Sequence, residues 1–224
     1  MKNIAIITAR GGSKRIPKKN IKEFMGKPMI AYAIQIALNS KIFDEVMVST
    51  DSEEIAETAK KYGAKIPFMR SETTSNDFAT TADVLNEVIE EYKLQGKTFD
   101  EFCCIYPCVP FLSGEILKNA YETFKKTNAD KLMPVVKFSF PIQRAVKLNK
   151  DGYLEYREPE NAQKRSQDLE PMYHDVGMFY FYKTNKMNSD KIIMYEMDET
   201  MIQDIDTIDD WEMAELKYKV LHNA

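Results

Sequence analysis

A basic, glycine-containing segment near the N-terminus carries the first residues with evident chemistry. Residues 8–20 follow a short apolar run at residues 4–7. A glycine pair lets the backbone turn sharply and approach a ligand closely, and successive exposed N–H groups form a concave anion site. Lysine and arginine side chains supply full charges around such a concavity. The segment therefore predicts a phosphate-binding loop, whose candidate residues are Arg10, Gly11, Gly12, Ser13, Lys14 and Lys19.

This loop matches neither of two common phosphate-binding fingerprints. It lacks the G-x-x-x-x-G-K-S/T spacing of P-loop kinases and ATPases, and it lacks the G-x-G-x-x-G spacing of dinucleotide-binding proteins. Both of those classes are therefore disfavoured. A solvated basic face without a ligand is the alternative interpretation of the same residues.

A pair of carboxylates near the C-terminus forms the second candidate group. Asp204 and Asp206 flank Ile205 in a segment predicted to be a strand, and residues two apart in a strand project from the same face. Two neighbouring carboxylates repel each other unless a cation lies between them. Mg²⁺ is commonly held by carboxylates together with substrate phosphates. The pair therefore predicts a magnesium site, and the alternative is that one Asp helps to cap the next helix.

The pattern of apolar residues indicates how these groups are positioned. Predicted strands and helices alternate over the first two thirds of the chain, which favours right-handed crossovers and a mainly parallel sheet with helices on both faces. In such sheets ligands bind beyond the carboxyl ends of the strands, where the basic loop would lie. The predicted strands cover residues 4–8, 46–50, 66–68, 102–106, 132–136, 176–182, 192–196 and 202–205, and the predicted helices cover residues 29–41, 51–61, 80–92, 113–126 and 208–221.

Residues 138–175 interrupt this alternation. The segment is polar, contains three prolines and has no clear periodicity. It predicts an insertion within a single domain spanning residues 1–224, formed as a hairpin or an arm that packs against a second subunit. A homodimer is therefore expected.

Composition and charge narrow the class of protein. Apolar residues make up 44% of 224 residues, which excludes disorder, collagen and a coiled coil. The net charge is −4, yet residues 10–27 hold seven cations and one acid. A local basic segment on an acidic chain favours a small anionic ligand over nucleic acid. The sequence has no apolar stretch long enough to cross a bilayer and no evident signal peptide, so we expect a cytoplasmic protein. Its three cysteines lack C-x-x-C spacing, and we expect them to be free thiols.

Several single residues are weaker candidates. Arg70 follows a predicted strand and either reaches a triphosphate or is solvated. Thr80 either contacts a base or caps a helix, and Asp51 is most simply a helix cap. His174 is one of two histidines, and a packed ring is favoured over a catalytic base because the sequence shows no partner for it.

Four features, in order along the chain, resemble the CMP-sugar-acid synthetases, the acylneuraminate cytidylyltransferase family. They are residues 9–21 with 26–30, the Ser-Thr-Asp of residues 49–51, the Pro-x-x-Pro of residues 107–110 and the aspartate-rich residues 204–211. The resemblance spans essentially the whole chain. It implies a Rossmann-like, three-layer nucleotidyltransferase fold, with a dimerisation insertion at residues 138–175.

The resemblance also implies an activity and a set of site residues. The expected reaction transfers CMP from CTP to the anomeric hydroxyl of a sugar acid and releases pyrophosphate. Arg10, Lys14 and Lys19 are the expected triphosphate-binding and catalytic residues, and Asp204 with Asp206 resembles the magnesium pair of the family. The remaining expected nucleotide contacts are Asn20, Arg70 and Thr80.

The sugar pocket departs from the sialic acid pattern. Tyr106 stands where sialic acid enzymes have glutamine, and residues 103–107 and 173–180 are similar to the bacterial pseudaminic acid cytidylyltransferases. Those enzymes activate a sialic-acid-like nonulosonate for surface glycans such as those on flagellin. Because the sugar is a carboxylate, it needs a cation, and Arg144 and Arg165 are the candidates, with Tyr106 and His174 also expected in the pocket.

Two alternatives stay open at this point. The same chemistry on N-acetylneuraminate, legionaminate or Kdo is the first. A catalytically inactive nucleotide-sugar sensor is the second, and the intact set of basic residues and paired aspartates disfavours it.

Overall fold

A seven-stranded sheet forms the centre of the structure, a computed structural model that describes residues 1–222. In chain order the strands are β1 (Asn3–Thr8), β2 (Glu23–Phe24), β3 (Lys27–Pro28), β4 (Glu45–Ser49), β5 (Glu101–Ile105), β6 (Lys131–Lys137), β7 (Val146–Leu148), β8 (Leu154–Tyr156), β9 (Tyr173–Asp175), β10 (Phe179–Lys183) and β11 (Ile192–Glu196). The helices are α1 (Met29–Ser40), α2 (Glu53–Lys61), α3 (Glu72–Ser75), α4 (Thr81–Leu94), α5 (Gly114–Lys126) and α6 (Ile208–His222).

The strand order of the main sheet is β11-β6-β10-β5-β1-β4, and β9 also pairs with β6. β1 pairs in parallel with β4 and β5, and β6 pairs in parallel with β11. β10 is antiparallel to both β5 and β6, so five strands run in one direction and β9 and β10 run in the other. The predicted α/β class with a mainly parallel sheet is confirmed.

Helices cover both faces of this sheet. Ala5 and Ile7 of β1 pack into a cluster with residues of α1 and α5, whereas Ile4 and Ile6 pack into a cluster with residues of α4. All four side chains are fully buried. Continuous apolar strands are typical of parallel sheets that are covered on both faces, and the three layers follow from this burial.

A third apolar cluster brings the two ends of the chain together. Trp211 of α6 packs edge-to-face against Phe24, with 5.4 Å between ring centroids. The same cluster contains Ile16 from the basic loop and Ile205, which lies between the two candidate aspartates, and both are almost fully buried. Burial of these two isoleucines therefore holds the aspartate segment against the loop after β1.

Three predicted strands differ from the observed ones. Residues 66–68 are not a strand, and Lys65 makes a single parallel bridge to Met47. Residues 202–205 lie outside every strand of the described chain, because no neighbouring strand pairs with them. The predicted strand 176–182 is interrupted at Gly177, whose φ of +64° turns the chain between β9 and β10.

The predicted insertion contains one hairpin. β7 and β8 pair with each other in antiparallel fashion and form a separate two-stranded sheet. The last three residues of the predicted insertion form β9 and rejoin the main sheet beside β6. The predicted contact of this segment with a second subunit stays a prediction. The predicted single domain extends to residue 224, and its last two residues lie outside the described ones.

Two further predictions concern cysteines and membranes. Cys103 and Cys104 are buried in β5, Cys108 is partly buried, and all three are free thiols. Across residues 1–222, no helix is both long and apolar enough to cross a membrane.

Candidate active site

A cavity of about 720 Å³ lies beyond the carboxyl ends of β1 and β5. Eight of the residues predicted for the site line it: Arg10, Lys19, Arg70, Thr80, Tyr106, His174, Asp204 and Asp206. A smaller cavity of about 360 Å³ adjoins it and is lined by Gly12, Ser13 and Lys14. Arg10, Lys19 and Asp206 line both cavities, so the basic loop and the aspartate pair meet where the two spaces join.

Lys19 links the basic loop directly to the aspartate segment. Its Nζ donates a hydrogen bond to the carbonyl oxygen of Ile205 at 2.6 Å and lies 3.5 Å from Asp206 Oδ1. Arg15 Nη1 lies 2.9 Å from the other carboxylate oxygen of Asp206. Sequence reasoning did not single out Arg15 as a site residue. These contacts fix the distance between the predicted phosphate-binding loop and a carboxylate that is a candidate metal ligand.

The structure corrects the predicted role of the two glycines. Neither Gly11 nor Gly12 has a positive φ, and the residue of this loop that adopts the left-handed region is Lys18, with a φ of +52°. The N–H of Gly11 donates to Asp51 Oδ1 at 2.8 Å and is not free for a ligand. A Cβ atom at Gly11 would lie 3.1 Å from the Cβ of Ser52, whereas one at Gly12 would meet nothing within 4 Å. A side chain at position 11 would therefore require the loop or the N-cap of α2 to shift by a few tenths of an ångström.

Asp51 is not the cap of α2. Ser52 is the N-cap, and its hydroxyl accepts a hydrogen bond from the N–H of Ile55 at 3.4 Å. The register of β1 and β4, in which Thr8 pairs with Ser49, places the residues after each strand side by side. Asp51 consequently anchors the basic loop by accepting the Gly11 N–H.

Asp77 is a site residue that sequence reasoning missed. Its carboxylate lies 2.9 Å from Arg10 Nη1 and 2.5 Å from Lys14 Nζ. Hydrogen bonds from Lys14 and then from Arg10 lower the pKa of Asp77, so the carboxylate is charged at neutral pH. It stands in an exposed loop without apolar periodicity, and no signal in the sequence could have found it. Two of the three predicted triphosphate ligands are thus paired with an acid of the same chain.

Asn20 and Arg70 are both buried, and the side chain of each donates a hydrogen bond to a backbone carbonyl oxygen. Asn20 Nδ2 donates to the carbonyl oxygen of Arg10 at 2.9 Å. Arg70 donates from Nε to Ser49 Oγ at 3.0 Å and from Nη2 to the Ser49 carbonyl oxygen at 2.7 Å. Arg70 is therefore not a solvated side chain, and burial lowers its pKa from the ordinary value. Both residues fix the walls of the site.

Thr80 caps α4, which is one of the two roles predicted for it. Its hydroxyl accepts the N–H of Asp83, and the Asp83 side chain accepts the N–H of Thr80, which completes a capping box. Thr80 nevertheless lines the cavity. Thr207 and Asp210 form the equivalent pair at the start of α6, where the Asp210 carboxylate accepts the Thr207 N–H at 2.7 Å.

Tyr106 and His174 contribute aromatic side chains to the lining of the cavity. Tyr106 is half-buried, burial raises the pKa of its phenol, and its hydroxyl lies 3.3 Å from Thr81 Oγ1. His174 is exposed and its ring packs on Phe138 with 4.8 Å between centroids. This contact agrees with the packed-ring interpretation, although the imidazole also borders the cavity.

The two arginines predicted to meet the sugar carboxylate lie elsewhere. Arg144 and Arg165 are exposed, and neither lines the cavity of one chain. Arg165 donates from Nε to Asp168 Oδ2 at 2.8 Å. Both belong to residues 138–172, and in the described chain no residue of that range lines the cavity. Tyr106 and His174 remain the predicted sugar-pocket residues that border it.

The two carboxylates of Asp204 and Asp206 suit a magnesium ion whose remaining ligands come from the substrate and from water. Both aspartates line the cavity on either side of buried Ile205. Within residues 1–222 no group of three or more potential metal ligands occurs. Mg²⁺ is usually bound through one or two carboxylates plus phosphate oxygens and waters, so a carboxylate pair next to a phosphate loop is suited to that ion.

The fold and the site together define a nucleotidyltransferase. A mainly parallel sheet places a cationic loop and a carboxylate pair in one cavity beyond its strand ends. Residues 4–218 match the family model described as cytidylyltransferase. The chain therefore belongs to the cytidylyltransferase family and is an enzyme of that class.

Individual relatives agree with this assignment. The chain is 44% identical to a pseudaminic acid cytidylyltransferase of Campylobacter jejuni subsp. jejuni serotype O:2, covering 100% of this chain and 99% of the relative. It is 33% identical to a CMP-N,N'-diacetyllegionaminic acid synthase of Legionella pneumophila, covering 96% and 95%. A solved structure of a CMP:2-keto-3-deoxy-manno-octonic acid synthetase complexed with CTP superposes with a TM-score of 0.72 at 19% identity, covering 100% of both chains, and supports the fold.

Proposed function

We propose that the protein transfers CMP from CTP to the anomeric hydroxyl of pseudaminic acid, a nonulosonic acid, and releases pyrophosphate. The observation that carries the proposal is the junction of the two cavities, where Lys19 contacts the Asp206 segment. Transfer from a triphosphate is favoured by cations that stabilise the departing phosphates and by a metal ion that carboxylates hold. The sugar assignment is supported by the 44% identity to a full-length relative that carries the name of this activity.

Phosphate binding is assigned to the basic loop. Arg10, Lys14 and Lys19 surround the smaller cavity, which has room for the triphosphate. Their charges would neutralise the pyrophosphate as it departs. Little covalent chemistry is asked of the protein in such a transfer, so catalysis consists of positioning and charge stabilisation. The buried hydrogen bonds of Asn20 and Arg70 keep the walls of this site fixed before substrate arrives.

Asp204 and Asp206 are the residues that would hold Mg²⁺. When bound there, the ion would polarise the phosphate under attack and stabilise the leaving pyrophosphate. Lys19 and Arg15 keep the Asp206 carboxylate next to the loop. The sugar acid would occupy the end of the larger cavity at Tyr106 and His174, with its anomeric hydroxyl directed toward the α-phosphate of CTP.

The proposed assembly is a homodimer formed through residues 138–172, the part of the predicted insertion that lies outside the main sheet. Apolar side chains of the hairpin are exposed in one chain: Leu148 and Leu154 are each 70% exposed, and Val146 is 50% exposed. Exposed apolar clusters of this kind mark interaction surfaces. A second copy of the chain is the proposed occupant.

Pyrophosphate release tests the proposed reaction. The enzyme is mixed with CTP, Mg²⁺ and one of four acids: pseudaminate, N,N'-diacetyllegionaminate, N-acetylneuraminate or Kdo. Release with pseudaminate at the highest kcat/KM is the expected result. A preference for another acid would support the proposed reaction and would contradict the assignment of pseudaminate as the substrate. Absence of release with all four acids, despite measurable CTP binding, would overturn the proposed activity.

A further inference from the structure

Asp175 is a carboxylate in the larger cavity without an ionic partner. It is the last residue of β9, it is exposed, and it borders the cavity beside Tyr106 and Gly177. Asp77 and Asp206, which border the same cavity, each pair with two cations. Among the described residues 1–222, no ion pair involves Asp175. Ion pairing within the described chain therefore does not explain why a carboxylate lies at this position.

Hydrogen bonds from neighbouring residues hold this carboxylate in one orientation. Oδ1 accepts the N–H of Gly177 at 2.9 Å, and the hydroxyl of Tyr180 lies 2.9 Å from Oδ1 and 2.8 Å from Oδ2. The Tyr180 ring in turn packs against Tyr106, with 5.7 Å between centroids. A carboxylate offers about four acceptor positions. Oδ2 receives a bond from Tyr180 alone among the described residues, so it retains capacity for a ligand.

The chemistry of the substrates limits what Asp175 can contact. CTP and a sugar acid are both anions, and a carboxylate repels both their phosphates and their carboxylate. Asp175 is therefore suited to a neutral donor on the body of the sugar. An amide N–H can only donate, and an ionised carboxylate can only accept, which makes the two groups unambiguous partners. The Legionella pneumophila relative is named for an N-acylated sugar acid, whereas the structural neighbour is named for an acid without an amide.

We propose that Asp175 is a specificity-determining residue that accepts a hydrogen bond from an acylamino N–H of the sugar acid. This inference rests on the proposed function and adds to it the residue that distinguishes acylamino acids from acids bearing hydroxyls alone. Tyr180 is the positioning residue, since it contacts Asp175 through its hydroxyl and does not itself border the cavity.

The test compares Asp175→Asn with wild type in steady-state pyrophosphate release. Asparagine retains one oxygen that can accept from Gly177 and Tyr180, but it has an NH₂ group in place of Oδ2. That NH₂ group is a donor and cannot accept a hydrogen bond from an N–H of the sugar. We expect the KM for pseudaminate to rise about ten- to hundredfold, as loss of a hydrogen bond to a charged group predicts. The KM for CTP and the thermal midpoint are expected to stay at wild-type values. Tyr180→Phe should raise the KM for the sugar by a smaller factor.

Two comparisons keep the inference separate from the proposed function. A hydroxyl can turn to accept from the asparagine NH₂, so the ratio of kcat/KM for pseudaminate over Kdo should fall in Asp175→Asn. Asp190→Asn, which removes an exposed carboxylate that lines neither cavity, is the matched control and should keep wild-type constants. An unchanged sugar KM and ratio in Asp175→Asn, with an active wild type, would overturn the role of Asp175 alone. A wild type inactive on every acid would overturn both.

Discussion

Arg10 Nη1 lies 2.9 Å from Asp77 Oδ1, within a site whose cations are expected to bind phosphate. The same carboxylate pairs with Lys14, so it contacts two of the residues assigned to the triphosphate. A carboxylate and a phosphate oxygen are alternative partners for one guanidinium fork. Under the proposed assignment of these cations, CTP would displace Asp77 from Arg10 and Lys14, or share them with it.

Replacing Asp77 with asparagine is expected to tighten CTP binding. Exposed ion pairs contribute little individually, so the Kd for CTP should fall by about two- to fivefold. Hydrogen bonds from Lys14 and Arg10 lower the pKa of Asp77, so the difference should stay constant from about pH 6 to pH 9. Isothermal titration calorimetry measures this change. Glu72→Gln, which removes an exposed charge from helix α3 just before this loop, is the control, and a Kd for Asp77→Asn equal to or above wild type would contradict the competition.

Close packing at Gly11 makes a second prediction. Gly11→Ala places a Cβ atom 3.1 Å from that of Ser52, and such overpacking should lower the free energy of unfolding by about 1–3 kcal/mol. Gly12→Ala meets nothing within 4 Å and should change it by less than about 0.5 kcal/mol. Urea denaturation distinguishes the two variants.

A second-site change tests the cause of the Gly11 effect. Ser52→Gly removes the opposing Cβ atom, and glycine replaces serine at an N-cap at a cost of only a few tenths of a kcal/mol. Gly11→Ala in that background should cost much less than in wild type. Equal losses in both backgrounds would show that the contact with Ser52 is not responsible.

The contrast between Lys19 and Asp77 shows what the sequence could predict. Both partners of the Lys19–Asp206 contact were identified as chemical groups from residue type and spacing. Their meeting depends on burial of Ile16 with Ile205, a contact between distant parts of the chain that periodicity does not reveal. Asp77 lies in a loop whose conformation no apolar pattern specifies. Local patterns therefore predicted the alternation of elements and the basic loop, whereas tertiary packing determined which acids face the cations.

Strand predictions failed where pairing, and not composition, decides the structure. Residues 202–205 have a strand-like sequence, but no neighbouring strand is available to them in the described chain. The side chains of Asp204 and Asp206 nevertheless border one cavity, because buried Ile205 directs its two neighbours outward.

The aspartate pair gives a third prediction. Asp206→Ala should abolish pyrophosphate release at saturating Mg²⁺ and CTP while the fold remains intact, because one of two metal-binding carboxylates is lost. Activity is measured across a Mg²⁺ titration, Mn²⁺ binding in the presence of CTP is measured by electron paramagnetic resonance, and folding is measured by circular dichroism. Asp209→Asn, in the first turn of α6 and outside the cavity lining, should retain activity and metal binding. Substantial Mg²⁺-dependent turnover by Asp206→Ala would exclude the metal assignment.

A buried glutamate makes stability depend on pH. The Glu45 side chain is 3% exposed and accepts hydrogen bonds from Lys65 at 2.9 Å, from Lys97 and from Tyr92. Burial alone would raise the pKa of Glu45, but these hydrogen bonds outweigh it and lower the pKa below the ordinary value. The folded state therefore binds this proton less readily than the unfolded state does. The resulting stabilisation is present above the unfolded pKa and is lost as the pH falls through the folded one.

Glu45→Gln tests this dependence. We expect the variant to lose about 1–3 kcal/mol of unfolding free energy at pH 7. The difference from wild type should shrink as the pH is lowered below about 4.5, where the wild-type carboxyl becomes protonated. Urea unfolding at a series of pH values measures the free energy of unfolding of the wild type and of the variant. A difference that is independent of pH would mean that packing, and not charge, accounts for the loss.

The hairpin formed by β7 and β8 gives the final prediction, which concerns assembly. Leu148 and Leu154 are direct cross-strand partners and are each 70% exposed, so they present one apolar surface. Wild type should have about twice the 26.0 kDa mass of one chain in light scattering. Leu148→Lys with Leu154→Lys should give the mass of a single chain, because burying two unpaired charges in an interface is unfavourable. Leu94→Lys, at an 80% exposed position at the end of α4, should remain dimeric. A wild type of single-chain mass, or a double variant that stays dimeric, would place the subunit contact elsewhere or exclude it.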